Sequence, residues 1–166
     1  MTSLFNRDGL LRPPGAADEA ELVESCIRCA RCVYACPYES IILGPVTALE
    51  SYGTPFIDPL RSPCYLCMRC ADVCPTSALT VVPAAEAAMG HARVDEETSY
   101  SYSGTVCNQC YRSCPLRGSA IELDDLLQPV VQDACVGCGV CLHVCPTDPR
   151  SIVLTPQERS KDVSSE

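Results

Sequence analysis

Residues 26–37 read CIRCARCVYACP, residues 64–75 read CYLCMRCADVCP, and residues 135–146 read CVGCGVCLHVCP. All three follow C-x2-C-x2-C-x3-C-P. A further stretch, CNQCYRSCP at 107–115, keeps three cysteines and the proline but lacks the leading cysteine. The candidate ligands are therefore Cys26, Cys29, Cys32 and Cys36 in motif one, and Cys64, Cys67, Cys70 and Cys74 in motif two. Motif three supplies Cys107, Cys110 and Cys114, and motif four supplies Cys135, Cys138, Cys141 and Cys145. Together these are all 15 cysteines of the 166-residue chain, so none is left for another purpose.

Two residues between cysteines let a tight loop present three thiolates to three corners of one cubane, with backbone N–H groups turned toward its sulfurs. The proline biases the fourth cysteine away from helical geometry. Its thiolate can then reach a second cluster, the established reading of this run in bacterial ferredoxins. Zinc is the competing reading, but zinc sites use pairs of C-x2-C set farther apart, often with histidine, and need neither a third cysteine nor a trailing proline. The pattern points to iron and sulfur.

Outside the motifs the sequence also repeats. YESIIL follows Pro37, TSALTVV follows Pro75, LRGSAIEL follows Pro115, and TDPRSIVL follows Pro146. Each is a polar turn followed by a β-rich apolar run. PFIDPLRSPC and PVVQDAC are strand-like runs leading into motifs two and four. The expected fold class is therefore α+β: strand, ligand loop, short helix and strand, repeated as two tandem bacterial-ferredoxin-like modules. Residues 1–25 are expected to form an N-terminal arm, 26–154 the polyferredoxin domain, and 155–166 a polar C-terminal tail. AAEAAMGHA at 84–92 reads as a helix in the insertion between motifs two and three.

Composition sets further limits. Setting cysteine aside lowers the apolar fraction from 47 % to about 38 %, and the chain has no Trp but 14 Pro. Something besides a hydrophobic core must hold it together. Disulfide scaffolds normally use an even number of cysteines at irregular spacings, whereas here the number is odd and the spacing regular. The net charge of −9 argues against nucleic acid as a partner. No apolar stretch approaches the ~18 residues of a membrane span, so direct membrane insertion is not expected. Arg28, Arg31, Arg69 and Arg112 lie inside the cysteine motifs, as solvent-facing residues or as local compensation for cluster charge. His91 and His143 read as surface or packing residues. With no P-loop, no GxGxxG and no acid–base pair, no catalytic residue is assigned.

The chain resembles the NapG/MauM family of four-cluster ferredoxins. The resemblance runs from LRPPGA (11–16) through CIRCARCVYACPY (26–38), GTPF (53–56) and SAL (77–79), then CNQCYRSCP (107–115) and CVGCGVC (135–141). LRPPGA and GTPF are its most specific parts, because many polyferredoxins share the cysteine runs. It implies a respiratory-chain electron relay that takes electrons from a quinol-oxidising membrane partner. It also implies interleaved modules, motif one paired with four and motif two with three. Cluster sets would then be Cys26, Cys29, Cys32 and Cys145; Cys135, Cys138, Cys141 and Cys36; Cys64, Cys67, Cys70 and Cys114; and Cys74, Cys107 and Cys110. Family members are exported by a twin-arginine signal, and residues 1–25 hold neither a twin arginine nor an apolar core. The expected location is cytoplasmic or peripheral to the membrane, and periplasmic only on export with a partner.

Three [4Fe–4S] clusters are thus expected, with a fourth at motif three. Exact spacing places its missing cysteine at Gly104, while the family's upstream position aligns with Ser99. Asp95, Glu96, Glu97, Tyr100 and Tyr102 lie within loop reach. A three-thiolate site favours [3Fe–4S] over [4Fe–4S] with an oxygen ligand from Ser99, since a serine hydroxyl matches iron less well than thiolate. The leading functional reading is a non-catalytic electron-transfer subunit of a larger, membrane-associated oxidoreductase complex. Its partners would be a quinol-linked membrane subunit or a catalytic subunit. The alternatives are a freely diffusing polyferredoxin and an assembly factor for a metalloenzyme.

Overall fold

The computed structural model describes residues 10–157. Its elements are short. Helices are α1 (Glu19–Ser25), α2 (Arg31–Ala35), α3 (Arg69–Asp72), α4 (Gln109–Ser113) and α5 (Val140–Val144). Strands are β1 (Ile41–Leu43), β2 (Pro55–Ile57), β3 (Gly90–Val94), β4 (Ile121–Leu123), β5 (Pro129–Val131) and β6 (Ile152–Pro156). The mixture of short helices and two-stranded sheets agrees with the expected α+β class.

Pairing divides the chain into two consecutive modules of the same plan. In each, the strand after the first motif returns antiparallel on the strand before the second. Ile41 faces Ile57 across β1–β2, and Ile121 faces Val131 across β4–β5. An outer pair closes each module. In module two it is β3 on β6, from Gly90 opposite Pro156 to Val94 opposite Ile152. In module one it is a single bridge between Ala16 and Leu79, with Thr80 N donating to Gly15 O at 2.8 Å and Ala17 N to Ala78 O at 3.1 Å. Helix pairs α2–α3 and α4–α5 complete the two modules.

Three expectations need correction. Residues 10–25 are not an arm but part of module one. Leu11, Arg12, Pro13 and Pro14 are buried, α1 is capped by the Asp18 side chain on Glu21 N, and Leu22 is fully buried. Residues 1–9 lie outside the described residues, as do 158–166 of the expected tail, while Thr155 and Pro156 belong to β6. The stretch 84–92 is not a helix: one 3-10 turn at Ala84–Glu86 gives way to β3 at Gly90. There Met89 N and Gly90 N both donate to Val136 O, so close packing on motif four overrides the helical preference of the alanines. The motifs, too, pair in an order other than the interleaved one, motif one with two and motif three with four.

Candidate iron–sulfur centres

The ligand loops share one backbone device. In each complete motif the residues on either side of the second cysteine are left-handed: Arg28 and Ala30 (φ 57° and 59°), Leu66 and Met68 (both 57°), and Gly137 and Gly139 (70° and 84°). This curls the loop so that successive thiols and N–H groups face one side. Only motif four uses glycine for it, and the other two loops hold bulkier residues in the strained conformation. Motif three departs: Asn108 has φ −134°, and the chain reaches Cys107 from the 95–104 turn. Ser101 Oγ ties that turn to Cys107 O.

Three open voids are lined by four cysteines each. Cys26, Cys29, Cys32 and Cys74 line one of about 380 Å³, together with Leu43, Ala78 and Leu79. Cys36, Cys64, Cys67 and Cys70 line a second of about 310 Å³, beside Ile41 and Ile57. Cys114, Cys135, Cys138 and Cys141 line a third of about 400 Å³, beside Ala92, Ile121 and Val136. The remaining thiols also gather, since Cys107 and Cys145 both act on Cys110 electrostatically. Each complete motif therefore gives three thiols to one set and its fourth to the neighbouring set, and motif three gives two and its last, as the trailing proline suggests. The partners, however, are motif one with two and motif three with four. The interleaved order, one with four and two with three, is not the one observed. The β1–β2 and β4–β5 returns bring consecutive motifs together over short loops, a smaller closure cost than joining motif one to motif four.

All fifteen cysteines are free thiols. Burial, reinforced by neighbouring thiolates, pushes Cys32 up to about 11, Cys64 and Cys70 to about 12, and Cys138 to about 11. Cys110 rises to about 11 for the same reasons, and burial also raises Cys114 and Cys141. Without a cationic core between them these thiols are neutral at physiological pH, and a bound core must displace their protons. Donors already point at sulfur: Ser40 N at Cys36 Sγ and Leu66 N at Cys64 Sγ, both at 3.4 Å. An all-thiol donor set around a void, with N–H groups directed at its sulfurs, fits an iron–sulfur cluster.

The 4Fe-4S dicluster domain models match residues 25–78 and 92–152, coinciding with the two modules. The ferredoxin-type protein NapG of Escherichia coli is 37 % identical over 91 % of this chain and 72 % of its own length. The methylamine utilization ferredoxin-type protein MauM of Paracoccus denitrificans is 38 % identical over 89 % of this chain and 72 % of its own. The chain belongs to the NapG/MauM ferredoxin-type family. Within that family frame, the two segments most specific to the resemblance meet in space. Arg12 of LRPPGA, 1 % exposed, donates to Thr54 Oγ1 at 3.0 Å and Pro55 O at 2.9 Å in GTPF, and pairs with Glu19. Among solved structures, a formate dehydrogenase–heterodisulfide reductase–formylmethanofuran dehydrogenase complex from Methanospirillum hungatei aligns at 21 % identity and TM-score 0.31. That alignment covers 91 % of this chain and 56 % of the other.

Ser99 is 7 % exposed in the turn before Cys107, where its N–H donates to Asp95 O at 3.1 Å and its carbonyl accepts from Ser103 Oγ at 3.0 Å. Tyr102 donates to Pro129 O at 3.3 Å, and its hydroxyl is pushed up by burial and by the charges of Glu96, Asp124 and Cys110. His91 Nε2 lies 3.2 Å from Gln132 O, and His143 Nδ1 lies 3.1 Å from Pro59 O. A contact between the modules carries no signal in the sequence. Cys64 N donates to Cys138 O at 3.0 Å, so one cysteine of module one is hydrogen-bonded to one of module two.

Proposed function

We propose that the chain is a multi-cluster electron-transfer subunit, without catalysis of its own, that relays electrons between redox partners. The ligand sets are Cys26, Cys29, Cys32 and Cys74; Cys36, Cys64, Cys67 and Cys70; Cys114, Cys135, Cys138 and Cys141; and Cys107, Cys110 and Cys145. When bound, the clusters supply one-electron carriers. The protein's part is to hold them in line. Cys32 of the first set lies in the field of Cys70 of the second. Cys64 N of the second is hydrogen-bonded to Cys138 O of the third, and Cys141 of the third lies in the field of Cys110 of the fourth. The Cys64–Cys138 hydrogen bond is the observation that carries the reading, because it joins two modules into one path.

In this reading the three complete sets hold [4Fe–4S]. The three-thiol set holds [3Fe–4S] in preference to [4Fe–4S] with Ser99 as oxygen ligand. The resemblance supports a quinol-linked membrane subunit or a catalytic oxidoreductase subunit as partner, and a peripheral position at the membrane. Among the described residues no helix is long and apolar enough to cross a membrane. Isolation of the native complex, with iron and sulfide counts, tests the assignment. A stoichiometric redox partner and an oxidised-state three-iron paramagnetic signal are expected. Sixteen irons per chain without that signal would overturn the [3Fe–4S] assignment. Where the three-iron signal is present, Ser99→Cys should replace it with that of an all-cysteine cubane.

A further inference from the structure

We propose that Thr147 and Ser151 are positioning residues that raise the reduction potential of the centre held by Cys107, Cys110 and Cys145, so that electrons collect at the outer end of module two. The proposal rests on the relay reading and gives it a direction.

Thr147 Oγ1 lies 3.1 Å from Cys145 Sγ, and Thr147 is 7 % exposed. Behind it stands Ser151, 2 % exposed, whose N–H donates to Thr147 Oγ1 at 2.8 Å and whose hydroxyl oxygen lies 2.8 Å from the same atom. An iron-bound thiolate can only accept a hydrogen bond. The 3.1 Å contact is then a hydrogen bond only with the Thr147 proton on sulfur, and in that arrangement Ser151 N–H and O–H both donate to Thr147 Oγ1. Donors to a ligand sulfur stabilise the reduced, more negative form of a cluster. Burial removes the water that would otherwise compete. Arg150 adds to the same end, with Nη1 donating to His143 O at 2.7 Å, Leu142 O at 3.1 Å and also Cys145 O.

The corresponding positions are weaker. In motif two, Thr76 Oγ1 is 3.6 Å from Cys74 Sγ, and the hydroxyl six residues after that cysteine, Thr80, donates instead to Gly15 O. Motifs one and three place Tyr38 and Leu116 there. The three-thiol centre is thus the one with a two-hydroxyl chain on its ligand among the described residues. With clusters held by both sets, the one electron lost at the Cys114, Cys135, Cys138 and Cys141 set would be the one gained at the Cys107, Cys110 and Cys145 set, and Thr147 would keep its proton throughout.

The test is a redox titration of the loaded protein followed by electron paramagnetic resonance, with iron and sulfide counted in every sample. Thr147→Val should move one midpoint to a more negative potential and leave the others in place, and Thr147→Ser should restore it. Ser151→Ala, which leaves the Thr147 contact intact, should shift the same midpoint less, and Thr76→Val should shift a different one slightly. Should Thr147→Val fail to load iron, the Thr147→Ser and Ser151→Ala pair decides the matter. Unmoved midpoints, or all of them moving together, would overturn the proposal. A wild-type protein that takes up no iron refutes the relay reading itself, which the counts reveal separately.

Discussion

Ala30, Met68 and Gly139 occupy the same place in three ligand loops, immediately after the second cysteine, and all three are left-handed. For Gly139 the need for glycine is double, since a Cβ there would stand 2.5 Å from Pro59 Cβ. At Ala30 the conformation costs roughly 1–2 kcal/mol that glycine would not incur, offset by about 0.5–1 kcal/mol of chain entropy. Ala30→Gly should therefore stabilise the loaded protein by about 0.5–1 kcal/mol, read as a higher denaturant midpoint at unchanged iron content. No change, or a lower midpoint, would mean that the Ala30 methyl makes contacts worth more than the strain. The ligands themselves were legible because spacing alone marks a cubane loop. The loop conformation was not, because only motif four carries the glycines that signal it.

The first helix shows how a surface-looking segment becomes part of a core. Asp18, Glu19 and Glu21 fall within the expected N-terminal arm, yet Glu19 completes the partners of a buried guanidinium and also accepts from Ser51 Oγ at 3.0 Å. Removing one partner of a buried charge costs about 3–5 kcal/mol. The Glu19 side chain is 37 % exposed, so solvent reduces the cost. Glu19→Ala should destabilise module one by about 2–3 kcal/mol, checked by denaturant unfolding of the loaded protein. A change below 0.5 kcal/mol, within the range of ordinary surface substitutions, would show that water replaces the carboxylate. Sequence periodicity cannot reveal such a network. Its partners lie 7 and 42 residues from Arg12, and the resemblance in LRPPGA and GTPF was the available sign of it. The strands leading into motifs two and four could be read in advance, because Pro55–Ile57 and Pro129–Val131 are β-rich and bounded by turns. The 84–92 stretch could not, since Gly90 is held by motif four rather than by its own neighbours.

At the scale of the whole molecule, no strand exceeds five residues and no helix seven among the described residues, and Cys64, Cys70 and Cys138 themselves belong to the core. Two modules could be read from four motifs, but their partnership could not, because the spacing within a motif does not encode which motif it faces. A core built from ligands has a consequence for the metal-free chain. Cluster binding supplies much of the folding free energy, so the iron-free, reduced protein should be largely unfolded by circular dichroism. Any native-like fraction should be sensitive to alkali. Burial holds Cys32, Cys64, Cys70, Cys110 and Cys138 at about 11–12, above their ordinary value of 9.0. Between those values the unfolded chain gives up protons that the folded chain retains. The stabilisation is therefore complete below pH 9 and is lost as pH rises toward 12. In the loaded protein the ligated thiolates carry no such protons, and this loss should not occur. Parallel pH titrations of the two forms, followed by circular dichroism, check the contrast. A cooperative thermal transition in the iron-free protein that persists unchanged above pH 11 would show that the polypeptide folds without its clusters.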